Sequence, residues 1–288
     1  MHHWTYLIRA ITAVSFFHSA MACDVLLSND DGWAGAFIRA QRDSLVNAGF
    51  NVVLSGLAQD MSDRGASSAP LQPLAEPCQF NTCPTGSPAE GFNASDPRLN
   101  YVNAFAVDAV RYGIQTLSPK IFCSPPEFVI SGPNSGPLLG VGTPTSSAIA
   151  VACEAAKEGF PAVAFAAGTA TKISYTTLTT LPNSRNTLSA LLYAELSSNF
   201  THALVDPVPR PILPGGVFLR VNYAPTTFSA SGRPTGKCIA ASDYKWVLTR
   251  QQPGNAVSTV GTCGSKRLPV DRGATRLSQC STRRQGWT

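Results

Sequence analysis

Two adjacent carboxylates are the residues of this chain whose spacing most directly suggests chemistry. Asp30 and Asp31 lie in the segment SNDDG, residues 28–32, which directly follows a short apolar run typical of a buried strand. Neighbouring carboxylates repel each other, and a shared divalent cation such as Mg²⁺ or Mn²⁺, which prefer oxygen ligands, offsets this repulsion. A plain Asn-Asp-Gly turn is the alternative interpretation, because these residue types dominate turns.

A second polar segment follows another predicted strand. In SGPNSGP, residues 131–137, Asn134 offers a carbonyl oxygen to a cation, and the glycines let the backbone approach a ligand closely. Ser146 and Ser147 then begin a predicted helix, where free N–H groups and hydroxyls are typical of a phosphate site, with simple N-capping as the alternative. If these groups meet at one edge of a sheet, the implied chemistry is metal-assisted transfer of a phosphoryl group to water.

Several other kinds of hydrolase are excluded by what the sequence lacks. Of the four histidines, only His202 lies beyond residue 22, so a Ser-His-Asp triad, a histidine-nucleophile phosphatase and a histidine-rich zinc site are disfavoured. The sequence has neither a G-x-S-x-G motif nor a P-loop. The sequence therefore favours a site whose chemistry is carried by carboxylates.

The order of predicted elements specifies the fold class. Strands alternate with helices, which predicts a doubly wound α/β fold with a mainly parallel sheet, and residues 65–100, rich in Pro, Ser and Gly, are expected to form a long excursion. The predicted strands are residues 24–28, 51–55, 128–131, 162–166 and 217–222, and the predicted helices are residues 34–48, 103–117, 146–159 and 183–199.

The N-terminal segment and the cysteines indicate export. Residues 1–22 combine an apolar stretch with a small-x-small ending, Ala20-Met21-Ala22, which predicts a signal peptide and a secreted, extracellular protein; a buried N-terminal helix is the alternative. Eight cysteines suit an oxidising compartment, and Cys78 and Cys83 are close enough in sequence to form a local bridge. Glycosylation sequons stand at Asn93 and Asn199. No membrane span is predicted.

The net charge of +5 does not indicate nucleic-acid binding. Residues 263–288 carry six basic residues and one acidic residue, whereas residues 23–262 carry 15 basic and 16 acidic residues, so the body of the protein is nearly neutral. Residues 23–262 are therefore expected to form the domain and residues 263–288 a basic tail. This tail is interpreted as a family-specific extension, an arm tethered through Cys263 and Cys280, or the product of an incorrectly assigned gene end.

At several motifs the chain resembles the SurE family of survival-protein phosphatases and nucleotidases. The resemblance extends over residues 24–225 and has the motifs in the family's order. The matching segments are VLLSNDDG (residues 25–32), VISGPNSGPLLG (129–140), the helix start SSA (146–148) with its continuation to Ala162, and LPGGVFLRVN (213–222).

The resemblance implies a three-layer αβα, Rossmann-like SurE fold and a phosphomonoesterase that uses a divalent cation, Mg²⁺ or Mn²⁺. Its metal ligands would be Asp30, Asp31, Ser62 and Asn134, with Asp30 or Asp31 also orienting water as catalytic groups. A shift of two residues would place Arg64 at the serine position, and Asp63 stands where the family has glycine after that serine. The groups expected around the phosphate are Asn29, Gly132, Ser135, Gly136, Ser146 and Ser147.

Three functional hypotheses follow. The first is an active enzyme whose partner is a small phosphorylated substrate such as a nucleoside monophosphate; neither a nucleic acid duplex nor a membrane is expected as a partner, and a homo-oligomer is compatible with the family. The second is a catalytically impaired relative that binds a phosphorylated ligand or a protein, motivated by Ser147-Ala148 standing in place of the family's Gly-Thr. The third, a receiver-like signalling domain, is disfavoured by the export signal and the length.

Overall fold

The protein forms an α/β fold around one seven-stranded sheet. The structure, a computed structural model, describes residues 22–139, 145–168, 171–206, 210–247 and 249. The strands are β1 (Asp24–Ser28), β2 (Asn51–Leu57), β3 (Glu90–Asn93), β4 (Asp96–Val102), β5 (Phe128–Asn134), β6 (Ala162–Ala166) and β7 (Phe218–Asn222). The helices are α1 (Ala36–Asn47), α2 (Ala106–Tyr112), α3 (Ser118–Phe122), α4 (Ser147–Lys157), α5 (Thr177–Thr180) and α6 (Arg185–Val205).

The sheet topology places a crevice at the carboxyl end of β1. The strand order is β3-β4-β2-β1-β5-β6-β7, and every pairing is parallel except that of β3 with β4. The chain leaves β1 towards β2 on one side and returns with β5 on the other, so the strand order reverses at β1. Open α/β sheets bind ligands at this kind of switch point. The loops after β1, β2 and β5 therefore meet at one edge.

Helices cover both faces of the sheet, which confirms the predicted three-layer αβα arrangement. Val25 and Leu27 pack into the core beneath α1 and α6, whereas Leu26 between them packs into the core beneath α2 and α4. This alternation follows from the two-residue period of a strand. Because both faces of β1 are buried, its sequence is a continuous apolar run, as expected for a central parallel strand.

Most predicted elements are found within a few residues of their expected bounds, with two corrections. The long excursion expected over residues 65–100, for which no strand was predicted, contains β3 and the start of β4, which extend the sheet beyond β2. The helix expected over residues 103–117 begins only at Ala106 and continues into a π-helical turn, Gly113–Leu117. The side chain of Leu26 lies 2.7 Å from where a Cβ of Gly113 would stand, so the turn passes close over the sheet.

The cysteines partly follow the prediction. Cys78 and Cys83 form the expected local disulfide, and Cys238 is also disulfide-bonded. The predicted signal peptide, residues 1–22, falls almost wholly outside the described residues, and the predicted tail, residues 263–288, falls wholly outside them. Within the described part of the chain, no helix is both long and apolar enough to cross a membrane.

Gly132 shows how tightly the end of β5 is packed. Its φ is +100°, and an added Cβ would stand 2.4 Å from the carbonyl oxygen of Phe165 on β6. Gly49 has a similar φ of +93° but open space around it. The pair therefore separates the effect of backbone conformation from that of steric crowding.

We predict that Gly132→Ala lowers the free energy of unfolding by about 3 kcal/mol or more, since it adds overpacking to the cost of a left-handed φ. Gly49→Ala is the matched control and should lose only about 1–2 kcal/mol, the cost of the left-handed φ alone. Denaturant unfolding measures both. Equal losses in the two variants would contradict the crowding seen at Gly132.

Candidate functional site

The loop after β1 buries both predicted acids at the switch point of the sheet. Asp30 is 2% exposed and Asp31 7% exposed. The backbone carbonyl of Asp30 accepts a hydrogen bond from Met61 N at 2.9 Å, which ties this loop to the loop after β2. Two carboxylates are thus held side by side with little water to screen their repulsion.

The Asp31 carboxylate is contacted by residues from several loops of the site. Its Oδ2 accepts from the backbone N–H of Ser135 at 2.6 Å, and its Oδ1 accepts from the Ser135 hydroxyl at 2.9 Å and from the Ser62 hydroxyl at 3.2 Å. Lys172 Nζ lies 3.0 Å from the same Oδ1. The structure therefore brings together groups from the loops after β1, β2, β5 and β6 on one carboxylate.

Asp30 has a contrasting environment. Its Oδ1 is buried and has no hydrogen-bond partner among the described residues. Burial, and then the neighbouring charge of Asp31, raise the pKa of Asp30 to about 8. An oxygen this poorly satisfied is a natural ligand for a cation, which would supply the missing partner and relieve the repulsion between the two acids.

The loop after β2 brings Ser62 beside Asp31. The Ser62 hydroxyl lies 2.7 Å from Asp60 Oδ1 as well as 3.2 Å from Asp31, whereas Arg64 is exposed and its backbone N–H donates to Ser147. Asp63 has a φ of +59°, the left-handed region that favours glycine. The resemblance implies a glycine after the serine ligand, and this conformation suits a glycine, so it is compatible with Ser62 as the ligand; the choice of Ser62 over Arg64 stays a prediction.

The start of α4 holds the same loop. Ser147 is fully buried, donates to Met61 O at 3.1 Å and accepts from Arg64 N at 3.0 Å. Ser146 is the N-cap of the helix and accepts from Ile149 N. Both hydroxyls thus have local structural roles, and their contact with phosphate stays a prediction.

The end of β5 provides the other side of the crevice. Asn134 donates through its amide nitrogen to the carbonyl oxygen of Gly136 at 2.9 Å, which leaves the amide oxygen, the end that a cation needs, outside this bond. Ser135 lies beside Asp31, and Gly132 is buried under the close approach of β6. Asn29 donates to Gly32 O at 2.9 Å and so shapes the acidic loop.

Sequence reasoning missed a support beneath the acidic loop. Gln79, within the loop closed by the Cys78–Cys83 disulfide, donates to the backbone carbonyl of Asp31 at 2.7 Å. A Cβ on Gly32 would stand 2.3 Å from the Gln79 side chain, so glycine permits this contact. The Cys78–Cys83 disulfide thus constrains the loop of Gln79, which hydrogen-bonds to the backbone of the acidic loop. The sequence carried no local signal for Gln79.

Two charged residues of the site were also missed. Asp60 follows the carboxyl end of β2, so the rule that identified Asp30 and Asp31 could have found it. Lys172 follows β6 and pairs with both Asp31 and Asp60. Its only signal in the sequence is that no other charged residue stands between Glu158 and Arg185.

The donor set fits a hard divalent cation. The Asp30 and Asp31 carboxylates, the Ser62 hydroxyl and the carbonyl end of the Asn134 amide are oxygen ligands, and one buried Asp30 oxygen has no partner within the described ranges. Within the described residues no cluster of three or more His, Cys, Asp or Glu side chains could hold a metal. Two carboxylates completed by neutral oxygens are nevertheless a donor set that Mg²⁺ or Mn²⁺ accepts.

Comparisons with known proteins agree with this architecture. The survival protein SurE family model matches residues 25–246. An acid phosphatase of Yarrowia lipolytica is 32% identical over 240 residues, covering 81% of this chain and 64% of that protein. A 5'-nucleotidase SurE of Carboxydothermus hydrogenoformans is 30% identical over 145 residues, covering 50% of this chain and 49% of that protein.

A solved structure shows the same fold. The SurE protein from Aquifex aeolicus matches with a TM-score of 0.55 and 22% sequence identity, covering 79% of this chain and 71% of that one. The chain spans less than two thirds of the yeast relative and about half of the bacterial one. Because the family model matches most of its length, including every strand except the first residue of β1, the chain belongs to the survival protein SurE family.

Proposed function

We propose that this protein is a metal-dependent phosphomonoesterase that hydrolyses nucleoside monophosphates or similar phosphate esters. The observation that carries the proposal is the buried Asp30–Asp31 pair at the switch point of the sheet, in which one Asp30 oxygen has no hydrogen-bond partner among the described residues. The relatives named above as an acid phosphatase and a 5'-nucleotidase support this reaction class. The proposed substrate class is nucleoside monophosphates and similar phosphate esters.

The residues assigned to the cation are Asp30, Asp31, Ser62 and Asn134. A bound Mg²⁺ or Mn²⁺ would polarise a phosphoryl oxygen and lower the pKa of a coordinated water. The chain contributes the orientation of these groups. Ser135 fixes the Asp31 carboxylate through two hydrogen bonds, and Gln79 fixes the backbone of Asp31 from the opposite side.

The same loops are placed to bind the phosphate group. The turn from Gly132 to Gly136 lies beside Asp31, and the start of α4 contacts the loop after β2 through Ser147. The N–H groups of Ser135 and Gly136 already donate to Asp31 and to the carbonyl oxygen of Asn134, so the backbone N–H groups at the start of α4 are the ones that suit an anion. Asp30 or Asp31 orients the attacking water. Positioning by a rigid sheet edge is what lets such groups lower the barrier, since little reorganisation is then needed during the reaction.

A binding protein without turnover is the competing function. The specific observation that favours it is Lys172, whose ammonium group pairs with Asp31 and Asp60 and so already places a positive charge in the acidic cluster. Under this alternative, a phosphorylated ligand binds but is not hydrolysed. Purified protein assayed with nucleoside monophosphates and phenyl phosphate separates the two, because only the enzyme releases phosphate in a manner that Mg²⁺ or Mn²⁺ supports and a chelator abolishes.

Asp31→Asn should abolish metal-supported phosphate release while leaving the fold intact. The amide keeps the shape of the side chain but removes the charge that binds a cation. Asp43→Asn is the matched control, since Asp43 is 59% exposed on α1 and lies outside the site. Circular dichroism checks folding of both variants. Wild-type turnover in folded Asp31→Asn would overturn the assignment.

Ser62→Ala should weaken Mn²⁺ binding by about tenfold or more, because it removes a neutral oxygen ligand. Ser67→Ala, at an exposed position of the same loop, should leave binding unchanged. Calorimetric titration of each purified variant with Mn²⁺ gives the affinities. An unchanged affinity in Ser62→Ala would exclude Ser62 from the ligand set.

We also infer that the protein is exported and glycosylated. The disulfide-bonded Cys78, Cys83 and Cys238 support an oxidising compartment. Asn199 is exposed on α6, although Thr201 of its sequon is buried, and Asn93 is partly exposed at the β3–β4 turn, so both acceptor asparagines reach the surface of the described fold. Export would deliver the phosphomonoesterase to esters outside the cell.

Expression in a eukaryotic secretory host should yield protein in the medium that begins near residue 23. Removal of N-glycans should lower its mass, and Asn93→Gln and Asn199→Gln should each remove one glycan. N-terminal sequencing and mass spectrometry are the measurements. Retention of residues 1–22 in an intracellular, unmodified product would contradict the inference.

A further inference from the structure

Lys172 stands out because its ammonium group lies within the predicted cation site. Its Nζ is 3.0 Å from Asp31 Oδ1 and 2.8 Å from the Ser62 hydroxyl, and it also pairs with Asp60. Two of these partners, Asp31 and Ser62, are assigned to the metal. One side chain of the protein therefore contacts the same oxygens that a divalent cation would need.

The segment that carries Lys172 is anchored to the rest of the site by backbone hydrogen bonds. Ala36 N donates to Ile173 O at 2.8 Å, Tyr175 N donates to Ala34 O at 2.9 Å, and Gly35 forms an isolated β-bridge with Ser174. The segment thus pairs with the start of α1, directly after the acidic loop. This pairing fixes the Cα of Lys172 near the acids, and only the side chain needs to move.

A buried arginine strengthens this anchor. The guanidinium of Arg39 lies 5.0 Å from the ring centre of Trp33 and 4.8 Å from that of Tyr175, and it donates to Trp33 O at 2.7 Å. Trp33 belongs to the loop of the acids and Tyr175 to the segment of Lys172, so the arginine joins the two by cation–π contacts. The position of Lys172 is therefore built into the fold.

We propose that Lys172 is a tethered cation that competes with the divalent metal ion for the Asp31 and Ser62 side of the site. This inference rests on the proposed function. In the metal-free protein the ammonium group partly neutralises Asp31 and Asp60. An incoming divalent cation gains the carboxylates only after the ammonium group has withdrawn, since two positive charges a few ångströms apart repel strongly in a partly buried site.

Because of this competition, the site binds the metal ion more weakly than the same oxygen ligands would bind it in the absence of the Lys172 charge. A divalent cation must also bind strongly enough to displace the lysine, which belongs to the same chain and is always present at high local concentration. The withdrawn ammonium group stays close to the acids on its anchored segment. The withdrawn ammonium group can still pair with Asp60, whose carboxylate is not among the assigned metal ligands.

The test is calorimetric titration of purified protein with Mn²⁺, without substrate. Lys172→Gln should bind Mn²⁺ at least about tenfold more tightly than wild type, because the competing charge is gone. Lys172→Arg, which keeps the charge, should bind no more tightly than wild type. Lys120→Gln is the charge-matched control, at an exposed position on α3, and should behave as wild type.

The outcomes separate this inference from the proposed function. If wild type binds Mn²⁺, Asp31→Asn abolishes binding and folded Lys172→Gln shows unchanged or weaker affinity, the competition is overturned while the metal site stands. If Lys172→Gln fails to fold, Lys172→Met is titrated under the same criterion. If neither wild type nor the neutral variants bind Mn²⁺, both the metal site and the competition are overturned.

Discussion

The structure depends on holding two carboxylates side by side in a nearly dry position. Asp30 and Asp31 are buried at the carboxyl end of β1, where ionising both is unfavourable, and this is expressed in the pKa of Asp30, which rises to about 8. The surrounding residues stabilise the charge of Asp31 more than that of Asp30. Asp31 receives hydrogen bonds from Ser135 and Ser62 and an ion pair from Lys172, whereas one oxygen of Asp30 receives no hydrogen bond from the part of the chain that the structure describes. This asymmetry is the reason that we propose a cation site at the pair and not a plain polar turn.

The order of the strands explains why the supports come from such distant parts of the chain. Because β1 lies between β2 and β5, the loops that follow these three strands converge, and β6 brings a fourth loop beside them. Burial opposes ionisation of Asp60, but hydrogen bonds from Lys172 and Ser62 outweigh it and lower the Asp60 pKa. Burial likewise opposes the charge of Lys172, and its contacts with Asp60 and Asp31 outweigh that and raise the Lys172 pKa. Both groups are therefore charged, and the site contains a positive group of its own before any metal binds.

Much of this could be predicted from the sequence, and the exceptions have physical causes. Strands β1, β5 and β6 are buried on both faces, so their apolar runs are readable, and the acids directly after β1 are marked by their position. Strands β3 and β4 were missed because β3 is half exposed, carries Gly91 and Phe92 without an apolar period, and lies in a segment rich in Pro, Ser and Gly. Lys172 was missed because its partner Asp60 is 112 residues away, and pairing at that distance is decided by the sheet, not by a local motif. The assignment of Ser62 as a metal ligand comes only from the family resemblance, and the left-handed φ of Asp63 is compatible with that assignment.

We propose that Asp30, Asp31, Ser62 and Asn134 hold one divalent cation at the switch point of the sheet. The most direct measurement is the anomalous difference density of a crystal of the protein grown with Mn²⁺. We expect a single strong peak within roughly 2.0–2.6 Å of oxygens from both aspartates. A crystal in saturating Mn²⁺ that shows no peak there, or a peak bound by other residues, would contradict it.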